Sequence, residues 1–129
     1  MTVVLDSGIW ISGFEFGGVP LAALDQAFLF DRIAICDDIV TEVSRILVSK
    51  FGWAEKDVRG VLLRYLTEAK HIVLKGDLRG VSRDSKDDMI FECALRAKAQ
   101  LIVSGDKDVL EVGEYEGIRV VTAREYLAG

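Results

Sequence analysis

The stretch "TVVLDSGIWI" (residues 2–11) decides the fold. Val3, Val4 and Leu5 form a short apolar run with no polar alternation, the pattern of a strand buried on both faces. The run stops at a carboxylate, Asp6, and apolar residues resume at Ile9. A strand buried on both faces belongs to a parallel sheet with helices on each side, so similar runs should recur along the chain. They do, as "IAIC" (33–36), "IVL" (72–74), "LIVS" (101–104) and "IRVVT" (118–122).

Between these runs the apolar residues fall three and four apart, the spacing of helices with one buried face. The segments are "VPLAALDQAFLF" (19–30), "DDIVTEVSRILVSKFG" (37–52), "AEKDVRGVLLRYLTEA" (54–69) and "DDMIFECALRAKA" (87–99). The last should be capped by Asp84 or Ser85. Strands alternating with helices predict a three-layer α/β/α sandwich around a mostly parallel sheet of about five strands. A length of 129 residues suits one domain spanning 1–129.

A net charge of −5 argues against a dedicated DNA-binding module, which would carry a basic field. It leaves room for an enzyme that approaches nucleic acid through cations. The apolar runs are too short to cross a bilayer and no signal peptide is expected, so the expected setting is cytoplasmic with no membrane partner. Cys36 and Cys93 show no CxxC spacing and are expected as buried, reduced thiols.

In parallel α/β sheets ligands gather beyond the carboxyl ends of the strands, where the strand order reverses. Four segments deliver carboxylates to that edge. They are Asp6 after the first strand, Glu42 with Asp37 and Asp38 after the second, Asp87 and Asp88 opening a helix, and Asp106 with Asp108 after "LIVS". Any one of these acids is as well explained as a helix cap or first-turn residue. The set is harder to explain that way, because carboxylates crowded together resist ionising together. A divalent cation removes the conflict. An all-oxygen site without a His or Cys constellation selects Mg2+ or Mn2+, ions suited to phosphodiester hydrolysis.

At these residues the chain resembles the PIN-domain family of metal-dependent ribonucleases, which includes the toxins of toxin–antitoxin pairs. The likeness runs over essentially the whole chain, through "VVLDSGIWISGFEFGG", "DDIVTEVSRIL", "SRDSKDDMIFECALRAKAQLIVSGDKDVL" and "EYEGIRVVTAREYL" in family order. It implies Mg2+ or Mn2+ held by Asp6, Asp87 and Asp106, with Glu42 joining directly or through water. Asp88 is the alternative register for the third acid, so Asp6, Glu42, Asp87, Asp88 and Asp106 form the candidate catalytic set. The ions would activate water for attack on an RNA backbone phosphorus, releasing a 3′-hydroxyl and a 5′-phosphate.

Ser104, Arg83 and Lys107 are candidate substrate-side residues; Ser104 matches a family position that can hydrogen-bond within the acidic cluster. Arg45, Lys50 and Lys86 are further candidates for phosphate contact, and Asp108 for the rim. The resemblance also implies an antitoxin partner and a homodimer. One departure stands out: the family's usual Asn after Asp-Thr/Ser is Gly8 here. That opens the alternative of a catalytically degenerate module binding an antitoxin or RNA without cleaving. A phosphoaspartate mechanism of the haloacid-dehalogenase kind needs Asp-x-Asp, and Gly8 occupies the second position. His71 has no second His or Cys at ligand spacing and reads as a strand-edge residue. Trp10 and Phe14 read as core, while the aromatics at 28–30 and 51–53 could face a partner.

Overall fold

The computed structural model describes residues 1–129. The chain runs through β1 (Thr2–Leu5), α1 (Ser7–Phe16), α2 (Gly18–Phe30), β2 (Arg32–Cys36), α3 (Asp37–Ser49), α4 (Glu55–Leu66) and β3 (Lys70–Ile72). After a long loop and a 3-10 turn (Ser85–Asp87) come α5 (Asp88–Ala97), β4 (Leu101–Val103), α6 (Lys107–Val112), β5 (Glu114–Tyr115), β6 (Ile118–Val121) and α7 (Ala123–Ala128). The strands form one sheet in the order β3-β2-β1-β4-β6-β5. It is parallel throughout except for β5, which runs antiparallel to β6. Helices flank it in the expected three-layer α/β/α arrangement, with six strands where about five were expected.

The extra strand is β5. It pairs with β6 through a two-residue turn, Glu116–Gly117, in which both residues have positive φ (51° and 82°). That backbone matches the twist of a tight hairpin. The third strand lies two residues earlier than its apolar run suggested. Lys70, His71 and Ile72 pair with Ala34, Ile35 and Cys36, and an edge strand can place Lys70 and His71 in solvent. The sheet centre follows the apolar runs, with Val3, Val4, Ile102 and Val103 fully buried.

Helix α5 crosses β1, β2, β3 and β4. It is buried on nearly every side, including two acids, Asp88 and Glu92. Helices α1 and α2 pack as a tight pair at Gly13, where an added Cβ would sit 2.8 Å from Leu24 Cδ1 and 3.2 Å from the backbone of Leu21. Beside them Trp10 donates its indole N–H to the Leu5 carbonyl at 3.1 Å and meets Phe14 and Tyr65 edge-on. Phe28 and Trp53 join that aromatic cluster, whereas Phe16, Leu29 and Phe30 are exposed. Cys36 and Cys93 are buried and free.

Candidate active site

The chain lays β1, β2 and β3 outward in one direction and then returns to place β4 on the other side of β1. The reversal falls between β1 and β4, whose carboxyl ends carry Asp6 and Ser104. Asp6 extends the sheet, its N–H donating to the Val103 carbonyl at 3.0 Å, and then caps α1. Its Oδ1 accepts from the Ile9 N–H at 3.2 Å, and its Oδ2 accepts from the Ser104 hydroxyl. Burial pushes the Asp6 carboxyl up to about 6; the Ser104 and Ile9 hydrogen bonds oppose that rise and the Asp106 charge adds to it.

Ser104 is fully buried and works between two acids. Besides donating to Asp6, its oxygen accepts from the Asp106 N–H at 3.0 Å. Ser104 thus hydrogen-bonds within the acidic cluster, as its position in the sequence suggested, and being fully buried it presents no surface to solvent. Asp106 caps α6, its Oδ1 accepting from the Asp108 N–H at 2.8 Å, and is itself exposed.

Asp87 and Asp88 are neighbours in sequence with opposite environments. Asp88 is buried, and its two oxygens accept from the backbone N–H groups of Gly80, Val81 and Ser82 at 3.0, 3.1 and 2.8 Å. Its inclusion in the catalytic set is corrected on that ground: it anchors the loop that precedes it. Glu92, one helical turn on, holds the other end of the same loop through Lys75 N–H at 2.7 Å and Gly76 N–H at 3.1 Å, with Arg96 alongside at 2.7 Å.

Asp87 receives no such support. It stands at the N-cap position of α5 without capping it, and its Oδ2 is buried with no hydrogen-bond partner. Burial first, then the charges of Asp106, Asp84, Asp6 and Asp108, push its carboxyl up to about 7.

Asp6, Glu42, Asp87 and Asp106 line one cleft of about 460 Å³, bordered by Ser7 and Gly8. A Cβ at Gly8 would sit 3.3 Å from Asp6 Oδ1, so the glycine leaves that face of the carboxylate open. The cleft continues into a wider basin that Glu42, Asp87 and Asp106 share with Asp37, Asp38, Asp84, Arg45 and Lys86. Asp84, Asp87 and Asp108 each offer an oxygen within 4.8 Å of the others, and this is the tightest grouping of acids. It lies on the rim and omits Asp6, Glu42 and Asp106, with Asp87 as the common member. Chain-order reasoning gave Asp84 only a capping role. It does cap the 3-10 turn, through Lys86 N–H at 3.1 Å, and it also faces the basin. The three-residue step from Asp84 to Asp87 was the available signal.

Among the candidate cations, Arg83 is committed to an exposed ion pair with Glu111. Lys107 is exposed at the start of α6. Lys50 lies over the Phe51 ring at 5.6 Å. Arg45 and Lys86 line the basin itself.

A family model described as a PIN domain matches residues 2–108. No curated protein sequence matches significantly. Among solved structures the fold is similar to VapBC2 from Rickettsia felis, in a crystal structure bound to a DNA fragment from its promoter. The TM-score is 0.67 at 14% sequence identity, over 95% of this chain and 98% of that one.

Proposed function

The chain belongs to the PIN-domain family, and on that premise we propose that it is a metal-dependent endoribonuclease, the toxin of a toxin–antitoxin pair. The observation that carries the reading is the unpartnered, buried Oδ2 of Asp87 in a cleft shared with Asp6, Glu42 and Asp106. A lone buried carboxylate oxygen costs free energy unless something neutralises it. The donor set there is all oxygen, which fits Mg2+ or Mn2+.

Asp6, Asp87 and Asp106 would hold the ion, with Glu42 completing the set directly or through water. Such an ion polarises phosphoryl oxygens and lowers the pKa of water. The chain's own residues supply the rest. Ser104 fixes the Asp6 carboxylate and the Asp106 backbone relative to one another, which keeps the two strand ends in register. Asp88 and Glu92 secure the loop that brings Asp84 to the rim. Arg45 and Lys86 offset phosphate charge at the mouth, where the surrounding acids would otherwise repel it.

Residues 1–129 serve as one unit in this reading. No helix is long and apolar enough to cross a membrane, and a cytoplasmic setting with an antitoxin partner is proposed. Exposed Phe16, Leu29 and Phe30 support self-association into a homodimer.

The test is cleavage of a mixed RNA pool by purified protein, with Mg2+ or Mn2+ and with EDTA, beside Asp6→Asn and Asp106→Asn. Metal-dependent cutting should fall by roughly two orders of magnitude or more in each variant, since even outer-shell partners of metal ligands cost 10–100-fold. Cutting that survives both substitutions would remove the reading.

A further inference from the structure

A second groove, of about 530 Å³, runs between α3 and α4. Arg45 and Thr41 line it and also line the acidic basin, so the groove opens into the basin at that end. Arg59, from α4, lines the same groove and takes no part in the basin. Neither arginine takes part in an ion pair, although Glu42 lies three residues before Arg45 and Glu55 four residues before Arg59.

The charge balance changes sharply from basin to groove. The basin sets Asp37, Asp38, Glu42, Asp84, Asp87 and Asp106 against Arg45 and Lys86. A polyanion brought to that basin needs a cationic surface close by to hold its flanking phosphates. Towards α6 Arg83 is paired with Glu111, which leaves the exposed Lys107 as the one unpaired cation at the start of that helix. Towards α4 two free guanidinium groups face one carboxylate, Glu55. Guanidinium suits phosphate because its planar fork can donate two parallel hydrogen bonds. Val40, Val48 and Val58 give the groove an apolar lining on which sugar and base can lie.

We infer that the α3–α4 groove carries the RNA backbone flanking the scissile bond, with Arg59 as a positioning residue for a phosphate outside the acidic cleft. The inference rests on the ribonuclease reading and extends it to the path of the substrate. Arg59 touches none of the acids lining the cleft, so its effect is on RNA binding and not on the chemical step.

Steady-state cleavage of a single-stranded RNA oligonucleotide with Mn2+ tests it, comparing wild type, Arg59→Ala, Arg59→Glu and Arg59→Lys. Arg59→Glu should raise KM roughly tenfold with kcat unchanged, the signature of lost uniform binding. Arg59→Ala should make the dependence of log kcat/KM on log salt shallower by about 0.7, the share of one phosphate contact on a single strand. Arg59→Lys should recover most of the KM, and unchanged thermal midpoints would show that the fold is intact. If wild type cleaves RNA and the Arg59 variants match it in KM and salt slope, the groove inference falls while the ribonuclease reading stands. Wild-type protein that cleaves no RNA removes both. A protein partner whose binding is lost in Arg59→Glu, with RNA KM untouched, would assign the groove to that partner instead.

Discussion

Replacing Asp87 by Asn should stabilise the metal-free protein while abolishing its response to Mn2+. The Asp87 carboxyl titrates near 7, against an ordinary 3.8, because burial and four neighbouring acids disfavour its charge. The folded state therefore holds this proton over a pH range in which the unfolded chain has released it. Stability from this group is full below about pH 4 and is lost as pH rises through about 7. Above that, the wild-type fold carries an unfavourable charge that Asn lacks. The carboxyl faces an open cleft, so solvent screening cuts the effect, and about 1 to 2 kcal/mol is the expected gain. With an unfolding entropy of ~2.1 cal/mol/K per residue over 129 residues, that gain raises Tm by about 4 to 7 °C. Thermal unfolding followed by circular dichroism in EDTA at about pH 8 reads it directly. At about pH 3 the difference should vanish, because wild-type Asp87 is then protonated in the folded state and largely so in the unfolded chain. Added Mn2+ should reverse the order, since a ligand at 100 times its Kd stabilises by ~2.7 kcal/mol and only the wild type would gain. An Asp87→Asn variant less stable than wild type at about pH 8 in EDTA, or one whose advantage ignores pH, would refute the reasoning.

Asp88→Asn should destabilise by roughly 3 kcal/mol in urea unfolding, because an amide cannot serve the three backbone N–H groups that the carboxylate accepts. Hydrogen exchange at Gly80, Val81 and Ser82 should accelerate in the same variant. Gly13→Ala should cost about 1 to 3 kcal/mol by overpacking the α1–α2 crossing, read as a lower urea midpoint. Lys98 ends α5 in the left-handed region at φ 56° and ψ 42°. Lys98→Gly should raise the midpoint by about 0.5 to 1 kcal/mol, since glycine adopts that backbone without strain.

The central sheet was legible because burial on both faces leaves a mark in the sequence that needs no partner to interpret. Val3–Leu5, Ile33–Cys36 and Leu101–Val103 are apolar at every position and became strands at the middle of the sheet. The edges left weaker marks. β3 needs only one side covered, so Lys70 and His71 could enter it and the apolar run at 72–74 pointed two residues too far on. β5 is two residues long, and its signal resided in the Glu116–Gly117 turn. At the site, four acids that the sequence placed at one edge of the sheet do line one cleft there. The sequence could not separate Asp87 from Asp88, since both open a helical segment and both are acids. Their fates diverge because the 3-10 turn ends at Asp87 and α5 begins at Asp88. That one-residue step turns the second carboxylate inward against the amides of residues 80–82. Ser104 posed the same difficulty, because a hydroxyl after a strand reads alike whether it meets substrate or another side chain.

What distinguishes structural acids from candidate ion-holding ones is how many donors each receives. Asp88 accepts three backbone N–H groups, and Glu92 two together with the Arg96 guanidinium. Burial works against the Glu92 charge, yet those donors hold its carboxyl below the usual range. Asp6 has one backbone N–H and the Ser104 hydroxyl, Asp106 one backbone N–H, and Asp87 none. Asp6 occupies the N-cap position of the ten-residue α1 and caps it, whereas Asp87 occupies the N-cap position of the ten-residue α5 in a helical conformation. It caps nothing. A carboxylate with one buried oxygen lacking any donor, pushed towards neutrality by burial and by its neighbours, is held by the surrounding fold against its own electrostatic preference. A cation at that spot, as proposed above, would neutralise the charge that burial and the neighbouring acids disfavour.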